Sequence, residues 1–381
     1  MTGAPGRPIA APDRLRGRSA ISAALLTFGF WPEIQRGGER IVHDLGVELA
    51  RLGHRPRVIT SHPGAPRTSV EDGVPIVRHW RPPEVPLRLR KIEEHVSHLP
   101  FSYASLRSGA YDVANAFYPT DALAAVRWSE RTGRPAVFSH TGSPERDHIS
   151  NRRGRLKVLE RATRGSTAVT ALSAAARDNI WRWLGVEARV IYPGVDLAAF
   201  EPAGQRDERP TIVCAAAPDE PRKRVALLVD AFARVRRSRP DARLVLIRPR
   251  DPALARELAG DGIEFAGEDA AGVAGLFRRA WVSALASRNE AFGLVVVESL
   301  ACGTPVVAAR EGGVPEIVDS DAVGRLFDAA EPADVANALL EGLELAGDPS
   351  TAAACRARAE RFSTQRTAQQ YEALYRELLG A

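Results

Sequence analysis

The feature that most constrains this chain is the alternation of short apolar runs with amphipathic segments along most of its length. Such alternation is typical of parallel sheets that are covered by helices. In VALLVDAFARVRR, for example, Val225, Leu228, Val229, Phe232 and Val235 fall on one helical face. The runs predicted to be strands are AALLTF, RPRVIT, VPIVRHW, DVANAF, PAVFSH, TAVTAL and ARVIYP in the first half, and PTIVCAA, ARLVLIR, GIEFAG, WVSALAS and PVVAA in the second. The sequence therefore predicts an α/β fold.

The two sets of strands are separated by a polar stretch that contains Gly and Pro, from about Pro193 to Pro210. We expect two Rossmann-like, doubly wound domains facing each other across a cleft, with ligands bound at the carboxyl ends of the strands. The predicted parts are a flexible N-terminal tail over residues 1–20, a first domain over 21–197, a second domain over 198–365 and a terminal helix over 366–381.

The composition excludes several classes of protein. The net charge is +5, and nearly all of the basic residues are arginines. Because neither a base-stacking motif nor a basic stripe accompanies this charge, we expect no nucleic-acid partner. Three cysteines (Cys214, Cys302, Cys355) lack the spacing of a zinc site or a disulfide framework, which favours a reducing cytoplasm. No run approaches the roughly 20 apolar residues that span a bilayer. The alternative for ISAALLTFGFW is a signal-peptide core; we interpret it as the first buried strand.

The segment RNEAFGLVVVESLACGTPVVA places Glu290 and Glu298 on either side of an apolar stretch. If SALAS ends a strand, Glu290 lies in the following turn and Glu298 lies one to two turns along a helix that Gly303 closes. The amides of Phe292, Gly293 and Leu294 would form the first turn, an electropositive terminus that suits a phosphate. A ligand made of sugar, diphosphate and ribose would touch Glu290, the helix terminus and Glu298 in that order.

This segment closely resembles the Glu-seven-residues-Glu motif of retaining glycosyltransferases with the GT-B architecture, most of all family 4, the glycosyl transferases group 1. The resemblance runs from about residue 22 to the end of the chain. It implies a GT-B fold with an acceptor-binding first domain, a donor-binding second domain and a C-terminal helix that crosses back to the first. It also implies that Glu290 contacts the donor sugar and Glu298 the ribose.

Other positions match the same family. Gly37 and Gly38 precede a helix, where the family's loop meets the donor diphosphate, and EGGVPEIV resembles its turn near the donor. IYPGVDLAAFEP resembles its junction between domains. His140 ends a strand where the family has a histidine near the reacting sugar; the alternative is a histidine held by local backbone. Thr141 replaces the glycine that often follows.

The match is incomplete around the expected diphosphate site. The family's Gly-Arg is absent, since Ala215, Ala216 and Ala217 fill that place, while Lys223 stands where the family's lysine grips the diphosphate. Arg222 is a candidate substitute for the missing arginine. Arg248 stands where a glycine commonly closes a strand, and base recognition is expected from the backbone around Phe265, Ala266 and Gly267. These residues do not separate a UDP from a GDP donor.

The basic stretch RPPEVPLRLRKIEEHVSHLP has two interpretations. Lying in the acceptor domain, it would attract an anionic acceptor or make a peripheral contact at the inner face of the membrane. In the alternative it is a solvated helix, in which Glu93 and Glu94 compensate Arg88, Arg90 and Lys91.

The resemblance implies retaining transfer of a hexose-type sugar to a hydroxyl or thiol of a small molecule or of a glycan or lipid precursor. With no Asp-x-Asp motif in a plausible loop, we expect no metal and no cofactor; Lys223, the helix amides and the Gly37-Gly38 loop would supply the positive potential. The alternatives are a GT-B nucleotide-sugar epimerase or phosphorylase, or a nucleotide-sugar-binding protein without catalysis. A dehydrogenase is disfavoured because no Gly-x-Gly-x-x-Gly follows either first strand. The sequence indicates neither the acceptor nor the oligomeric state.

Overall fold

The structure, a computed structural model, describes residues 19–31, 33–34, 37–93, 95–202, 204–267, 270–328 and 331–381. The predicted flexible tail lies outside these residues except for Ser19 and Ala20, which precede the first strand without regular structure. Glu94 and the side chain of Arg88, both part of the basic stretch, lie outside the description as well.

The first domain is built on an eight-stranded sheet. Its strands are β1 (Ser22–Leu26), β2 (Arg55–His62), β3 (Arg67–Glu71), β4 (Val74–Trp80), β5 (Val113–Ala116), β6 (Ala136–His140), β7 (Ala168–Ala171) and β8 (Arg189–Val190). They lie in the order β3-β4-β2-β1-β5-β6-β7-β8, parallel except for the β3–β4 hairpin. The helices are α1 (Gly37–Arg51), α2 (Val85–Leu89), α3 (Leu99–Ser108), α4 (Pro119–Thr132), α5 (Arg146–Ser150), α6 (Arg155–Gly165) and α7 (Ala174–Leu184).

The second domain has a six-stranded, wholly parallel sheet in the order β11-β10-β9-β12-β13-β14, formed by β9 (Thr211–Cys214), β10 (Arg243–Ile247), β11 (Ile263–Ala266), β12 (Val282–Leu285), β13 (Val306–Ala309) and β14 (Gly324–Phe327). Its helices are α8 (Val225–Ser238), α9 (Pro252–Leu258), α10 (Ala270–Arg279), α11 (Leu294–Ala301), α12 (Pro332–Leu345) and α13 (Thr351–Ala359), and the C-terminal helix α14 (Thr364–Leu379) follows them. Single 3₁₀ turns cover Pro221–Lys223, Val314–Glu316 and Glu360–Phe362. The predicted class of two doubly wound domains is confirmed.

Helix α8 shows how the apolar pattern becomes a core. Val225, Leu228, Phe232 and Val235 are buried as the helical spacing predicts, because they form the stripe that covers the sheet. Val229, at the edge of the stripe, is half-buried.

The C-terminal helix α14 crosses back and completes the first domain. The hydroxyl of Tyr371 donates to Oγ of Ser139 on β6 at 3.0 Å, and that of Tyr375 accepts from Nδ2 of Asn115 on β5 at 2.7 Å. Both tyrosines are almost fully buried. The last helix of the chain is therefore part of the first domain's core.

The two chain segments that connect the domains lie side by side. The amide of Val195 donates to the carbonyl of Phe362 at 2.9 Å. A Cβ on Gly194 would lie 2.3 Å from the carbonyl carbon of Ser363, a distance that no side chain tolerates. Phe200 is buried beyond this point, and Asp196 accepts from the amide of Ala198. The two connections therefore form one joint.

The basic stretch is not a single helix. Val85–Leu89 is helical and α3 begins at Leu99, while Arg90 and Lys91 are exposed between the two helices. The carboxylate of Glu93 turns inward and accepts from Nε of Arg155 at 2.7 Å. The solvated-helix interpretation is thus wrong for Glu93, because a guanidinium from α6 draws that carboxylate into a buried ion pair. In the described part of the chain, no helix has the length and apolarity needed to cross a membrane.

The cysteines give a first prediction. All three are free and buried, and burial raises the pKa of Cys214 to about 11 and the pKa values of Cys302 and Cys355 to about 12. We expect a thiol reagent such as Ellman's reagent at pH 8 to leave the native protein unlabelled, because reaction requires an accessible thiolate. In guanidinium chloride all three should react. Rapid labelling of the native protein would show that one of these sites opens locally.

Candidate functional site

The candidate site lies where the strand order of each sheet reverses. In the first sheet β1 lies between β2 and β5, and in the second β9 lies between β10 and β12. At such reversals the loops after neighbouring strands diverge and leave a crevice at the carboxyl end of the sheet. The segments after β1 and β9 carry Gly37 and Lys223, and the segment after β12 carries Glu290. The fold therefore brings together residues that are far apart in the sequence.

The backbone of Glu290 is held by the two glycines of EGGVPEIV. Its carbonyl oxygen accepts from the amide of Gly313 at 2.8 Å. A Cβ on Gly312, whose φ is 57°, would lie 1.9 Å from that same oxygen. These glycines therefore allow the backbone at residues 312–313 to approach Glu290 directly. The close backbone approach expected for EGGVPEIV is made to the turn that carries Glu290.

The carboxylate of Glu290 is paired with cations from the segment after β9. Nζ of Lys223 lies 2.7 Å from Oε2 of Glu290, and Nη1 of Arg222 lies 3.4 Å from the same oxygen. Burial by itself raises the pKa of Glu290, but Lys223 and Arg222 more than offset it and hold the pKa below its ordinary value. The Lys223 side chain is 12% exposed and that of Arg222 48%. Of the two cations, Lys223 is thus the more buried and Arg222 the more exposed.

Helix α11 begins at Leu294, directly after the turn that carries Glu290. Gly293 has a φ of 107°, outside the helical region, so the helix starts at Leu294. Phe292 precedes the helix, and its buried ring contacts those of Tyr192 and Phe362, with centroids 5.9 and 5.5 Å apart. Leu294 is therefore the first helical residue, and the amides of Phe292 and Gly293, which were expected in the first turn together with that of Leu294, belong to the bend before it.

The first turn of α11 faces the first turn of α1 across the cleft. A Cβ on Gly37 would lie 3.4 Å from Cδ1 of Leu294, and one on Gly38 would lie 3.7 Å from the hydroxyl of Tyr118. Gly37 and Gly38 are the first two residues of α1 rather than a loop before it. Two helix N-termini from different domains therefore approach one space, and both favour negative charge there.

Glu298 points across the cleft. Its carboxylate forms an ion pair with the guanidinium of Arg40 on α1, and its side chain is 2% exposed. Burial raises the pKa of Glu298 above its ordinary value, and Arg40 opposes that shift. The sequence reasoning did not select Arg40. Its position two residues after Gly38 was a signal, but its partner is 258 residues away in the sequence.

His140 lies at the end of β6, beside a loop that contacts the second domain. Its Nδ1 is 3.0 Å from the carbonyl oxygen of Gly142, so the local backbone orients the ring, as in the alternative interpretation. The carbonyl of Ser143 accepts from Nδ2 of Asn289 at 3.2 Å. The loop that follows His140 is therefore joined to the turn that carries Glu290.

Phe265 and Gly267 lie at the end of the edge strand β11, away from these contacts. The guanidinium of Arg248 is 5.4 Å from the Phe265 ring, so the arginine that replaces a glycine forms a cation–π pair. Gly267 is exposed. In the described part of the chain no hydrogen bond or ion pair joins either residue to Glu290 or Lys223. Nothing in these contacts distinguishes one base from another.

Glu316 is a further residue that the sequence reasoning passed over, although it lies within EGGVPEIV. Its carboxylate accepts from the amides of Ala174 and Ala175 at the start of α7, at 2.9 and 3.0 Å. The hydroxyl of Tyr192 donates to it at 2.9 Å. A carboxylate of the second domain thus caps a helix of the first, next to the joint.

Chemically, the described residues form a cationic and amide-rich space between two buried carboxylates. Lys223 and Arg222 lie at Glu290, Arg40 lies at Glu298, and helix N-termini lie between them. Such an arrangement can hold an anion in the middle and hydroxyl groups at either end.

Two sequence models of known families match the chain. The family described as Glycosyltransferase Family 4 matches residues 35–199, and the family described as Glycosyl transferases group 1 matches residues 209–344. Together they cover both domains.

Curated relatives match across the same region. The chain is 30% identical over 338 residues to a D-inositol 3-phosphate glycosyltransferase of Arthrobacter sp. (strain FB24), which covers 80% of this chain and 76% of the relative. A protein of the same name from Thermobifida fusca (strain YX) is 29% identical over 289 residues, 63% of this chain and 64% of that protein. The chain thus spans roughly two thirds to three quarters of these relatives.

Solved structures share the fold. Sucrose-phosphate synthase from Thermosynechococcus elongatus superposes with a TM-score of 0.79 at 21% identity, over 94% of this chain and 99% of that chain. HepE of Anabaena, solved in complex with UDP and glucose, superposes with a TM-score of 0.71 at 20% identity, over 93% and 99% of the two chains. The predicted GT-B architecture is confirmed.

Proposed function

The chain belongs to the family 4 glycosyltransferases, the glycosyl transferases group 1, and we propose that it moves a hexose-type sugar from a UDP- or GDP-sugar to an acceptor with retention of configuration. The acceptor atom would be a hydroxyl oxygen or a thiol sulfur. The observation that carries this proposal is the Lys223–Glu290 pair, 2.7 Å apart, in the same cleft as the buried carboxylate of Glu298. HepE, a structural neighbour, binds UDP and glucose.

Each residue would have a defined part in the transfer. Glu290 accepts hydrogen bonds from the sugar hydroxyls, and Glu298 accepts them from the ribose. Lys223, Arg222 and the amides at Gly293 and Leu294 neutralise the diphosphate as it departs. Gly37 and Gly38 bring the N-terminus of α1 to the same group. His140 lies beside the reacting sugar.

The reaction proceeds on one face of the sugar. The bond between C1 and the phosphate oxygen breaks as the bond between C1 and the acceptor atom forms on the same side. The proton of the incoming hydroxyl or thiol passes to the departing diphosphate. Since the positive potential comes from side chains and helix termini, we propose that the transfer needs neither a divalent metal nor a cofactor.

The acceptor is proposed to bind in the first domain, and the relatives named for inositol 3-phosphate make phosphorylated cyclitols the first acceptors to try. A cytoplasmic location, with or without peripheral contact at the inner face of the membrane, is part of the same proposal. The exposed residues Leu89, Arg90 and Lys91 would form such a contact; Leu89 alone is 81% exposed.

The decisive experiment is a matrix of UDP- and GDP-hexoses against hydroxyl acceptors, with EDTA present, read by mass spectrometry and by proton NMR of the new anomeric centre. We expect one donor to give a coupled product with the anomeric configuration of the donor. An isomerised sugar without an acceptor adduct would indicate an epimerase, and a sugar phosphate would indicate a phosphorylase. Tight nucleotide-sugar binding without turnover on any acceptor would favour a non-catalytic binding protein.

A further inference from the structure

The contact between Arg40 and Glu298 joins the two domains at the mouth of the cleft. Nη2 of Arg40, on the first turn of α1, donates to Oε1 of Glu298 on α11. The Glu298 side chain is 2% exposed and that of Arg40 is 26% exposed. Leu294 and Gly37 approach each other beside this pair. The carboxylate is therefore buried where α1 lies against α11.

The charge of Glu298 is compensated from the first domain. Among the described residues, the charged groups that act on this carboxylate are Arg40 and Asp44, both on α1. Asp44 is negative and is itself paired with His43 at 3.0 Å. From the packed helices α10 and α13, Arg278 and Arg356 act instead on the thiol of Cys302, one residue beyond the end of α11. Arg40 is thus the cation that neutralises Glu298.

A ribose cannot replace that cation. Its hydroxyls are neutral, so they hydrogen-bond to a carboxylate without removing its charge, and an ionised carboxylate that is buried without a counter-charge is costly. A Glu298 that binds ribose must therefore keep Arg40 beside it. Retaining one cation at Oε1 leaves acceptor capacity on the carboxylate, which has about four lone-pair positions.

We propose that Arg40 is a positioning residue of the donor site, which crosses from the first domain to hold Glu298 ionised and aimed at the donor ribose. The inference rests on the proposed function for its ligand, but the ion pair itself is a property of the free protein. It follows that the second domain by itself carries an incomplete ribose site. Closure of the cleft supplies the missing charge, so donor recognition and domain closure are one event.

The first test needs no ligand. We compare the thermal unfolding of full-length Arg40→Met and Arg40→Met/Glu298→Gln between pH 5 and pH 8. Without Arg40 the pKa of folded Glu298 rises further above its value in the unfolded chain, so the stability of the single variant falls as pH rises through that folded pKa. At pH 8 the double variant should have a Tm higher by about 5 °C or more. The gap should close towards pH 5. His43 and Asp44 are the same in both variants.

The second test measures the dissociation constants of UDP and GDP between pH 6 and pH 8.5. Affinity for the preferred nucleotide should follow the same pH profile in the wild type and in Arg40→Lys, which keeps the charge. Arg40→Met should bind about 10-fold or more weakly at pH 6 and recover as pH rises, because a protonated Glu298 loses its charge-assisted bonds to the ribose. Adding Glu298→Gln should abolish this pH dependence.

Arg189→Met is the matched control, because Arg189 forms an ion pair with Glu377 in which both side chains are exposed. It should follow the wild type in both measurements. Equal Tm values for Arg40→Met and its double variant at pH 8, or a nucleotide pH profile of Arg40→Met that parallels the wild type, would overturn the inference. A wild type that binds neither UDP nor GDP would overturn the proposed function and with it the ribose role of Arg40, even with the expected Tm difference.

Discussion

Replacing Lys223 with methionine should lower kcat/KM by about 10²–10³-fold. The substitution keeps most of the aliphatic stem but removes the buried cation that lies 2.7 Å from Glu290. Less positive charge then faces the departing diphosphate. Glu290 also keeps only the partly exposed Arg222 as its partner, so the Tm should fall too. The measurement is steady-state kinetics with the donor and acceptor found in the matrix, alongside thermal unfolding.

Two further variants separate catalysis from stability. Lys223→Met/Glu290→Gln should recover much of the lost stability, since the unpaired charge is gone, but should recover no activity. Lys157→Met, at an exposed lysine of α6, should behave as the wild type. If Lys223→Met retained kcat/KM within a factor of about three, smaller than the loss of one stabilising donor, Lys223 would have no contact with the leaving group.

Replacing Gly312 with alanine should cost both stability and activity. The new methyl group would lie 1.9 Å from the carbonyl oxygen of Glu290, and φ is 57° at this position. The positive φ costs about 1–2 kcal/mol and the overpacking about 1–3 kcal/mol more. The backbone relieves the overlap by moving Glu290, and a displacement of about 1 Å at a reacting centre lowers the rate by roughly 10²-fold. Urea unfolding and kcat measure the two effects.

Gly185→Ala is the matched control, with a φ of 66° and no atom within 4 Å of the added carbon. It isolates the cost of the backbone conformation and should leave kcat unchanged. A Gly312→Ala variant that lost no more stability than this control, and that kept its rate, would show that the 312–313 turn does not position Glu290.

Most of the fold could be predicted from the sequence, because each buried parallel strand is a continuous apolar run. Two strands, β3 and β14, were not predicted. β3 is short, polar and largely exposed, since it pairs only with β4 at the edge, although Asp72-Gly73 between them is a strong hairpin signal. β14 begins with Gly324 and is only four residues long, so it has little pattern of its own.

Candidate site residues could be predicted only where one segment carries the chemistry. Glu290, Glu298 and Lys223 follow from local spacing and from the scarcity of lysine. The contact of Glu298 with Arg40 and that of Glu316 with the start of α7 each join segments more than a hundred residues apart. Local pattern says nothing about which face of one domain meets the other. Phe292 shows the same limit, because its ring contacts Tyr192 and Phe362, residues that are far from it in the sequence.

The joint at Gly194 and Ser363 has a consequence for protein engineering. The two chain segments that connect the domains are hydrogen-bonded to each other at this joint, and α14 belongs to the core of the first domain. An exchange of the second domain between relatives therefore needs two splice points rather than one. A chimera spliced only after Phe200 would import a foreign terminal helix into the acceptor half. A chimera that replaces residues 201–362 and keeps the flanking segments of the recipient would retain both the joint and α14.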